Sequence, residues 1–360
     1  MMRSVKPHGV GLSDPVKGPL FVLSVWRSGS SLLYTLLNQH TQIGLLYEGD
    51  LPHLHRFLHG HFHNGSWRER WEFWNQGPSR HGIAVEALPP TVSDAWEGTR
   101  IVYREFARRK QATIWGEKTP HWYNCPLRMA GHFPDARFIF LWRDLNAVLK
   151  SIAGAARTDR FFRKTGFTER VLLGNQNLRW ACDALKAKAC PVQEVNYEDL
   201  ISRPRETMQQ ICQFLDIPFE AQMTSLEGAD RSAIAIGPHH TLIRGDKIVT
   251  QNTRTQILPP AVRGKVDRYI FLWKQHYNGA WPKYPVVLPE GTRPPSFVEL
   301  WRDGMVYRAL LGRDHLVALI YSFVPISWAR GIRRLLRKRS HHTRRTTPVE
   351  RETLASSNEY

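Results

Sequence analysis

Leu20-Phe21-Val22-Leu23-Ser24-Val25-Trp26-Arg27-Ser28-Gly29-Ser30-Ser31 runs into Leu32-Leu33-Tyr34-Thr35-Leu36-Leu37-Asn38-Gln39-His40, and this stretch decides the fold. The apolar run 20–25 follows Gly18-Pro19 and suits a buried strand of a parallel sheet. A short polar turn comes next. Leu32, Leu33, Leu36 and Leu37 then recur at helical spacing. The order is strand, tight turn, helix.

Such a turn binds anions for physical reasons. The first N–H groups of a helix have no partners within it, and the helix dipole leaves partial positive charge there. Gly29 lets the backbone approach a phosphate closely, while Arg27 and the hydroxyls of Ser28, Ser30 and Ser31 add donors. The plainer alternative is a helix capped by serine. A Walker A loop is excluded, because Ser24 stands at its first glycine and Ser30 at its lysine. A lysine-dependent NTPase is therefore disfavoured.

The 360 residues suffice for one large α/β domain or two ordinary ones, and 42% hydrophobic content excludes global disorder. A formal net charge of +18 favours anionic partners without choosing among them. Zinc-finger spacing and RNP-like motifs are missing, so nucleic acid is not an expected partner. Cys125, Cys182, Cys190 and Cys212 have neither C-x-x-C nor metal-site spacing and fit a reducing, cytoplasmic setting. Residues 1–17 read as a loose polar arm without a signal or anchor.

Further along, Ile43–Tyr47 reads as a strand with Glu48 and Asp50 at its end, where open α/β sheets place ligands. His53, His55, His59, His61 and His63 cluster next; without acidic or cysteine ligands, they read as cleft lining rather than a metal site. Trp67, Trp71, Phe73 and Trp74 suit a helix face, either core or the wall of a substrate pocket. A helix is expected over 94–109. Residues 112–121 read as a short strand ending in a charged turn that carries Lys118, with a solvated lysine as the alternative. Arg137–Trp142 is a second clear buried strand. It leads through Arg143-Asp144 into a helix bearing Ser151 two turns on. The two residues meet one phosphate only if the chain entering the helix folds back beside it; otherwise they are a surface arginine and an ordinary helix serine. Helices over 168–188, 208–215 and 261–277 and a strand over 191–197 complete the reading. Arg244-Gly245-Asp246-Lys247 is either an anion loop or a surface turn.

Residues 282–295 are rich in proline and read as a linker. The apolar run 315–328 is broken by Pro325, too short to span a membrane, and followed by Arg330, Arg333, Arg334, Arg337, Lys338 and Arg339. It suits in-plane contact of 316–339 with anionic lipid, at the inner face of a membrane, or docking on the domain or in a homodimer.

Arg27-Ser28-Gly29-Ser30-Ser31-Leu32, then Arg143-Asp144 with Ser151, resembles the PAPS-dependent sulfotransferases. Gly116-Glu117-Lys118-Thr119-Pro120, Tyr197-Glu198-Asp199-Leu200, Pro204-Arg205-Glu206-Thr207 and Phe214-Leu215-Asp216-Ile217-Pro218 resemble the bacterial and tyrosylprotein-type branch. The resemblance implies a P-loop-like three-layer α/β fold with a central parallel sheet over 18–285. Outside it lie a helical, basic extension over 286–339 and a disordered tail over 340–360. It also implies sulfuryl transfer from PAPS to a hydroxyl or amine of a small-molecule, carbohydrate, lipid or peptide acceptor, without a metal. In that family pattern Arg27 and Ser28–Ser31 meet the 5′-phosphosulfate, Arg143 and Ser151 the 3′-phosphate, Glu48 is the base and Lys118 steadies the transferring group. Asp50 and the nearby histidines are rivals to Glu48. Arg244 stands in for the family's late nucleotide loop, whose usual Arg-Lys-Gly is missing. The competing readings are a nucleotide kinase-like P-loop enzyme and a non-catalytic, membrane-associated nucleotide-binding protein.

Overall fold

A computed structural model describes residues 18–49, 81–83, 95–120, 126–163, 166–234, 243–249, 258 and 260–276, with isolated positions between 296 and 331. The arm 1–17, Asp50, the histidine and tryptophan segment 51–74, the linker 282–295, most of the basic extension and the tail lie outside the described residues.

Five parallel strands form the sheet: β1 (Leu20–Leu23), β2 (Ile43–Tyr47), β3 (Ile114–Thr119), β4 (Arg137–Trp142) and β5 (Val192–Asn196), in the order β2-β3-β1-β4-β5. The helices are α1 (Ser30–Leu37), α2 (Ala95–Arg109), α3 (Pro126–His132), α4 (Leu145–Thr158), α5 (Phe167–Ala187), α6 (Tyr197–Ser202), α7 (Pro204–Leu215) and α8 (Pro260–His276). Parallel neighbours require crossovers, and helices supply them.

The period-two alternation of β1 sorts side chains to the two faces of the sheet. Leu20 and Val22 join a core built with α1, α6 and α7, whereas Phe21 and Leu23 join one built with α2, α3, α4, α5 and α8. Strands buried on both faces read as continuous apolar runs, which is why β1 and β4 were visible in the sequence. The result is the expected three-layer architecture. Among the described residues no helix is long and apolar enough to cross a membrane.

Two boundaries differ from expectation. Strand β1 ends at Leu23 rather than at residue 25, and Trp26 leaves the sheet to pack on Phe161 and Phe167. The supposed charged turn at 116–119 is instead the last four residues of β3, all of them buried. Gly116 makes this possible: its φ is +148°, and a Cβ there would sit 2.0 Å from the carbonyl oxygen of Leu20. Glu117 finds its hydrogen-bond donors inside the fold. Glu117 accepts from Tyr103 Oη at 2.6 Å and Thr119 Oγ1 at 2.5 Å.

Candidate functional site

The loop after β1 leads into α1 without a side-chain cap. Gly29 occupies the N-cap position at φ +92°, and no acidic residue lies in the first turn. This removes the plainer reading of a serine-capped helix. The contrast with α4 is direct: there Asp144 caps, accepting from Ala147 N at 2.7 Å. With no side-chain cap, the first turn of α1 suits an anion.

Gly29 is also sterically required. A Cβ would fall 2.2 Å from Cδ2 of Tyr197, whose ring lies against the loop. That ring also carries a cation, with Arg143 Cζ 4.3 Å from its centroid. Tyr197 opens α6 directly after β5, the strand that pairs with β4. The motif Tyr197-Glu198-Asp199-Leu200 thus delivers an aromatic wall to the loop, a role that its sequence did not announce.

Arg27 lies between the loop and α4. Its Nε donates to Ser151 Oγ at 3.1 Å, and its own carbonyl accepts from Arg143 Nη1 at 2.9 Å. Ser151 thus contacts the Arg27 guanidinium, and Arg143 the Arg27 backbone. Burial first, and the nearby Arg143 charge second, push the Arg27 guanidinium down to about 10. Arg143 Nε is buried and has no hydrogen-bond partner among the described residues.

A second group forms on the other side of β1. Lys118, with a side chain only 1% exposed, donates from Nζ to Glu48 Oε1 at 2.6 Å. It also sits 3.9 Å from the centroid of the Tyr47 ring. The alternative of a solvated lysine is therefore wrong: the stem and ammonium are both inside. Glu48 is tied to the same strand through its backbone, N to Lys118 O at 2.9 Å. The Tyr47 hydroxyl lies 2.8 Å from Ser31 Oγ in the first turn of α1, so this group touches the loop.

Backbone strain collects at both groups. Arg27 has φ 66° and Glu48 φ 46°, two of the five non-glycine residues with positive φ among those described. Each such residue costs about 1–2 kcal/mol, and strain of this kind persists where the surroundings over-determine it.

Of the residues singled out from sequence, Arg27, Ser31, Arg143, Ser151, Lys118 and Glu48 are linked by these contacts, and Ser28, Gly29 and Ser30 form the loop between them. The Arg244 side chain is exposed, and among the described residues it makes no hydrogen bond or ion pair to any of these groups. Its carbonyl accepts from Arg231 Nη1 at 3.0 Å. Described residues contain no cluster of three or more His, Cys, Asp or Glu able to hold a metal. Tyr47 and Tyr197 were missed as site residues. The signal for Tyr47 was its place immediately before Glu48 at the end of a strand.

The model of the sulfotransferase family matches residues 19–221, the span that holds both groups. The chain belongs to that family. This sulfotransferase-family chain is 24% identical over 204 residues to protein-tyrosine sulfotransferase A of Caenorhabditis elegans, a match covering 56% of this chain and 50% of the relative. It thus spans about half the length of that relative. Among solved structures, the sulfotransferase domain from the curacin biosynthetic pathway is 20% identical with a TM-score of 0.49, covering 75% of this chain and all of that one (100%). A mouse sulfotransferase crystallised with PAP is 14% identical, with a TM-score of 0.42 and coverage of 74% and 87%.

Proposed function

We propose that this sulfotransferase-family chain moves a sulfuryl group from PAPS to a hydroxyl or amine of an acceptor, with Glu48 as general base. The observation that carries this reading is the Lys118–Glu48 pair, 2.6 Å long, tied through Tyr47 to Ser31 at an uncapped helix N-terminus. Family membership favours sulfuryl transfer over the nucleotide kinase alternative.

The residues present fit a 3′,5′-bisphosphorylated nucleotide. The Arg27 guanidinium, whose charge is disfavoured by burial and by Arg143 beside it, is matched by a polyanion. The buried Arg143 Nε offers a donor to it. In this reading Arg27 and the N–H groups of Ser28–Ser31 hold the 5′ end, and Arg143 and Ser151 the 3′-phosphate. PAPS, when bound, supplies an activated sulfuryl group whose leaving group is PAP. The chain's own work is positioning and charge stabilisation, as in phosphoryl transfer. Lys118 fixes the Glu48 carboxylate through Oε1, and a carboxylate has lone pairs on both oxygens with which to take the acceptor's proton. Lys118 also brings positive charge to the transferring group.

The test has two parts. PAP should raise the melting temperature of the full chain, and label should pass from [35S]PAPS to a component of a cell extract. No stabilisation at saturating PAP would sink the reading. Stabilisation with no transfer would leave the non-catalytic nucleotide-binding alternative. Acceptors in scope are small molecules, carbohydrates, lipids and peptides.

A lipid surface is the partner proposed for the C-terminal segment. Its support is the exposure of Val298, Trp301, Met305, Leu316 and Trp328, apolar side chains ahead of the basic run 330–339. Vesicles with anionic lipid should sediment the chain, as expected for a cytoplasmic protein at the inner face of a membrane, and neutral vesicles should not. A dimer with no vesicle binding would assign the stripe to a second copy instead.

A further inference from the structure

We infer that Tyr47 is the positioning residue that makes the loop and the Lys118–Glu48 pair one unit. Its hydroxyl sets the Ser31 side chain and its ring face sets the Lys118 ammonium. The inference rests on the donor-site reading above and gives Tyr47 a role of its own within it.

Tyr47 is 1% exposed, the last residue of β2, and lies in register opposite Lys118 of β3. Its ring is pinned from the side by Tyr34 of α1, with centroids 4.9 Å apart at 69°. Two polar contacts leave this one side chain in different directions. The hydroxyl meets Ser31 Oγ at 2.8 Å, and the ring face meets Lys118 Nζ at 3.9 Å.

Neither contact is what packing alone requires. Phenylalanine would fill the same volume, so the hydroxyl's function is to hold Ser31. An ammonium with 1% of its side chain exposed has lost most of its water, and its carboxylate partner is 28% exposed. The Tyr47 face supplies part of the missing solvation, and cation–π attraction is strongest where the cation is desolvated. The ring face helps hold the ammonium aimed at Glu48 Oε1. The next residue in the chain is Glu48 itself, so a shift of Tyr47 moves both members of the pair.

The two contacts can be separated by substitution. Tyr47→Phe removes the hydroxyl and keeps the ring face. Tyr47→Leu removes both. The probe is PAP, titrated calorimetrically into the full chain from pH 6.5 to 10.5, with Lys118→Met marking which part of the alkaline loss of affinity belongs to Lys118. Tyr47→Phe should weaken PAP binding about 3- to 10-fold at every pH, the loss of one hydrogen bond at the loop, and leave the alkaline limb in place. Tyr47→Leu should weaken it further and move that limb to lower pH, because the charged form of Lys118 has lost its ring.

An alkaline limb that stays put in Tyr47→Leu overturns the inference even if affinity falls, since a filler role would give that result. PAP affinities within about 2-fold of the parent in both variants overturn it as well. If Tyr47→Leu fails to fold, Tyr47→Phe decides: unchanged affinity refutes the link to Ser31. A parent chain that does not bind PAP refutes the donor-site reading and this inference together. A parent that binds, with variants that behave as it does, refutes the inference alone.

Discussion

Arg27 Nε donates to Ser151 Oγ at 3.1 Å, joining the loop after β1 to the second turn of α4 across 124 positions of sequence. The reciprocal tie runs from Arg143 Nη1 to the Arg27 carbonyl at 2.9 Å. The two motifs that resemble separate phosphate sites are thus built as one piece, and a change on one side is felt on the other.

Ser151→Ala should show that coupling. It takes the acceptor from a buried guanidinium Nε, which costs about 1–3 kcal/mol when the group is left unpaired. Urea denaturation should register that loss. PAP affinity, followed by calorimetry, should fall by about tenfold, the equivalent of a 1.4 kcal/mol contact. Parent-like values in both would show that Arg27 is held by other groups.

Glu48→Gln separates binding from transfer. The amide keeps the shape and an oxygen for Lys118 but takes a proton poorly. PAP binding should stay within about 3-fold while transfer from labelled PAPS drops by about 10²–10⁴. Full transfer activity in this variant would remove Glu48 as the base and return Asp50 and the histidines to consideration.

Gly29→Ala meets two obstacles at once. Its φ of +92° disfavours any side chain, and the new Cβ would lie 2.2 Å from the Tyr197 ring. The backbone term alone is about 1–2 kcal/mol. The melting temperature should drop and PAP binding should be lost. Adding Tyr197→Ala should restore part of the stability; no recovery in the double variant would rule out the ring as the obstruction.

Glu194 offers a pH test away from the site. Burial alone would raise its carboxyl, but the hydrogen bond from Lys186 and the charges of Arg179 and Lys186 outweigh that and hold it below the usual 4.5. Its Oε2 also accepts from Trp142 Nε1 at 2.6 Å and Arg179 Nη1 at 2.7 Å. A carboxyl whose folded value is depressed adds stability above the ordinary carboxylate range and loses it as pH falls through the folded value. The parent should therefore exceed Glu194→Gln in unfolding free energy at pH 7, by about 1–3 kcal/mol. The gap should close below pH 4.5. A gap that is constant down to pH 3 would assign the effect to packing.

The strand, turn and helix at 20–37 were legible because a buried parallel strand is a continuous apolar run and Gly29 punctuates it. The charged segment 116–119 misled, since Glu, Lys and Thr read as a turn. What puts them in a strand is supplied from elsewhere in the chain: Tyr103 for Glu117, and Tyr47 with Glu48 for Lys118. Arg143 and Ser151 could be seen as candidates, but their shared contact with Arg27 is a tertiary relationship that spacing does not encode. Tyr47 stayed hidden for a related reason. Its neighbours follow from β2 lying beside β3, and strand order is a property of the whole sheet.

That strand order has a metric consequence. Glu48 follows β2 and Arg143 follows β4, with β3 and β1 between them. Three steps of about 4.8 Å set the backbone at the ends of β2 and β4 about 14 Å apart, measured across the sheet. The separation is counted in hydrogen-bonded strands, so it works as a ruler. Loops between the strands can lengthen, shorten or change composition, and the gauge between the chain positions of Glu48 and Arg143 stays the same.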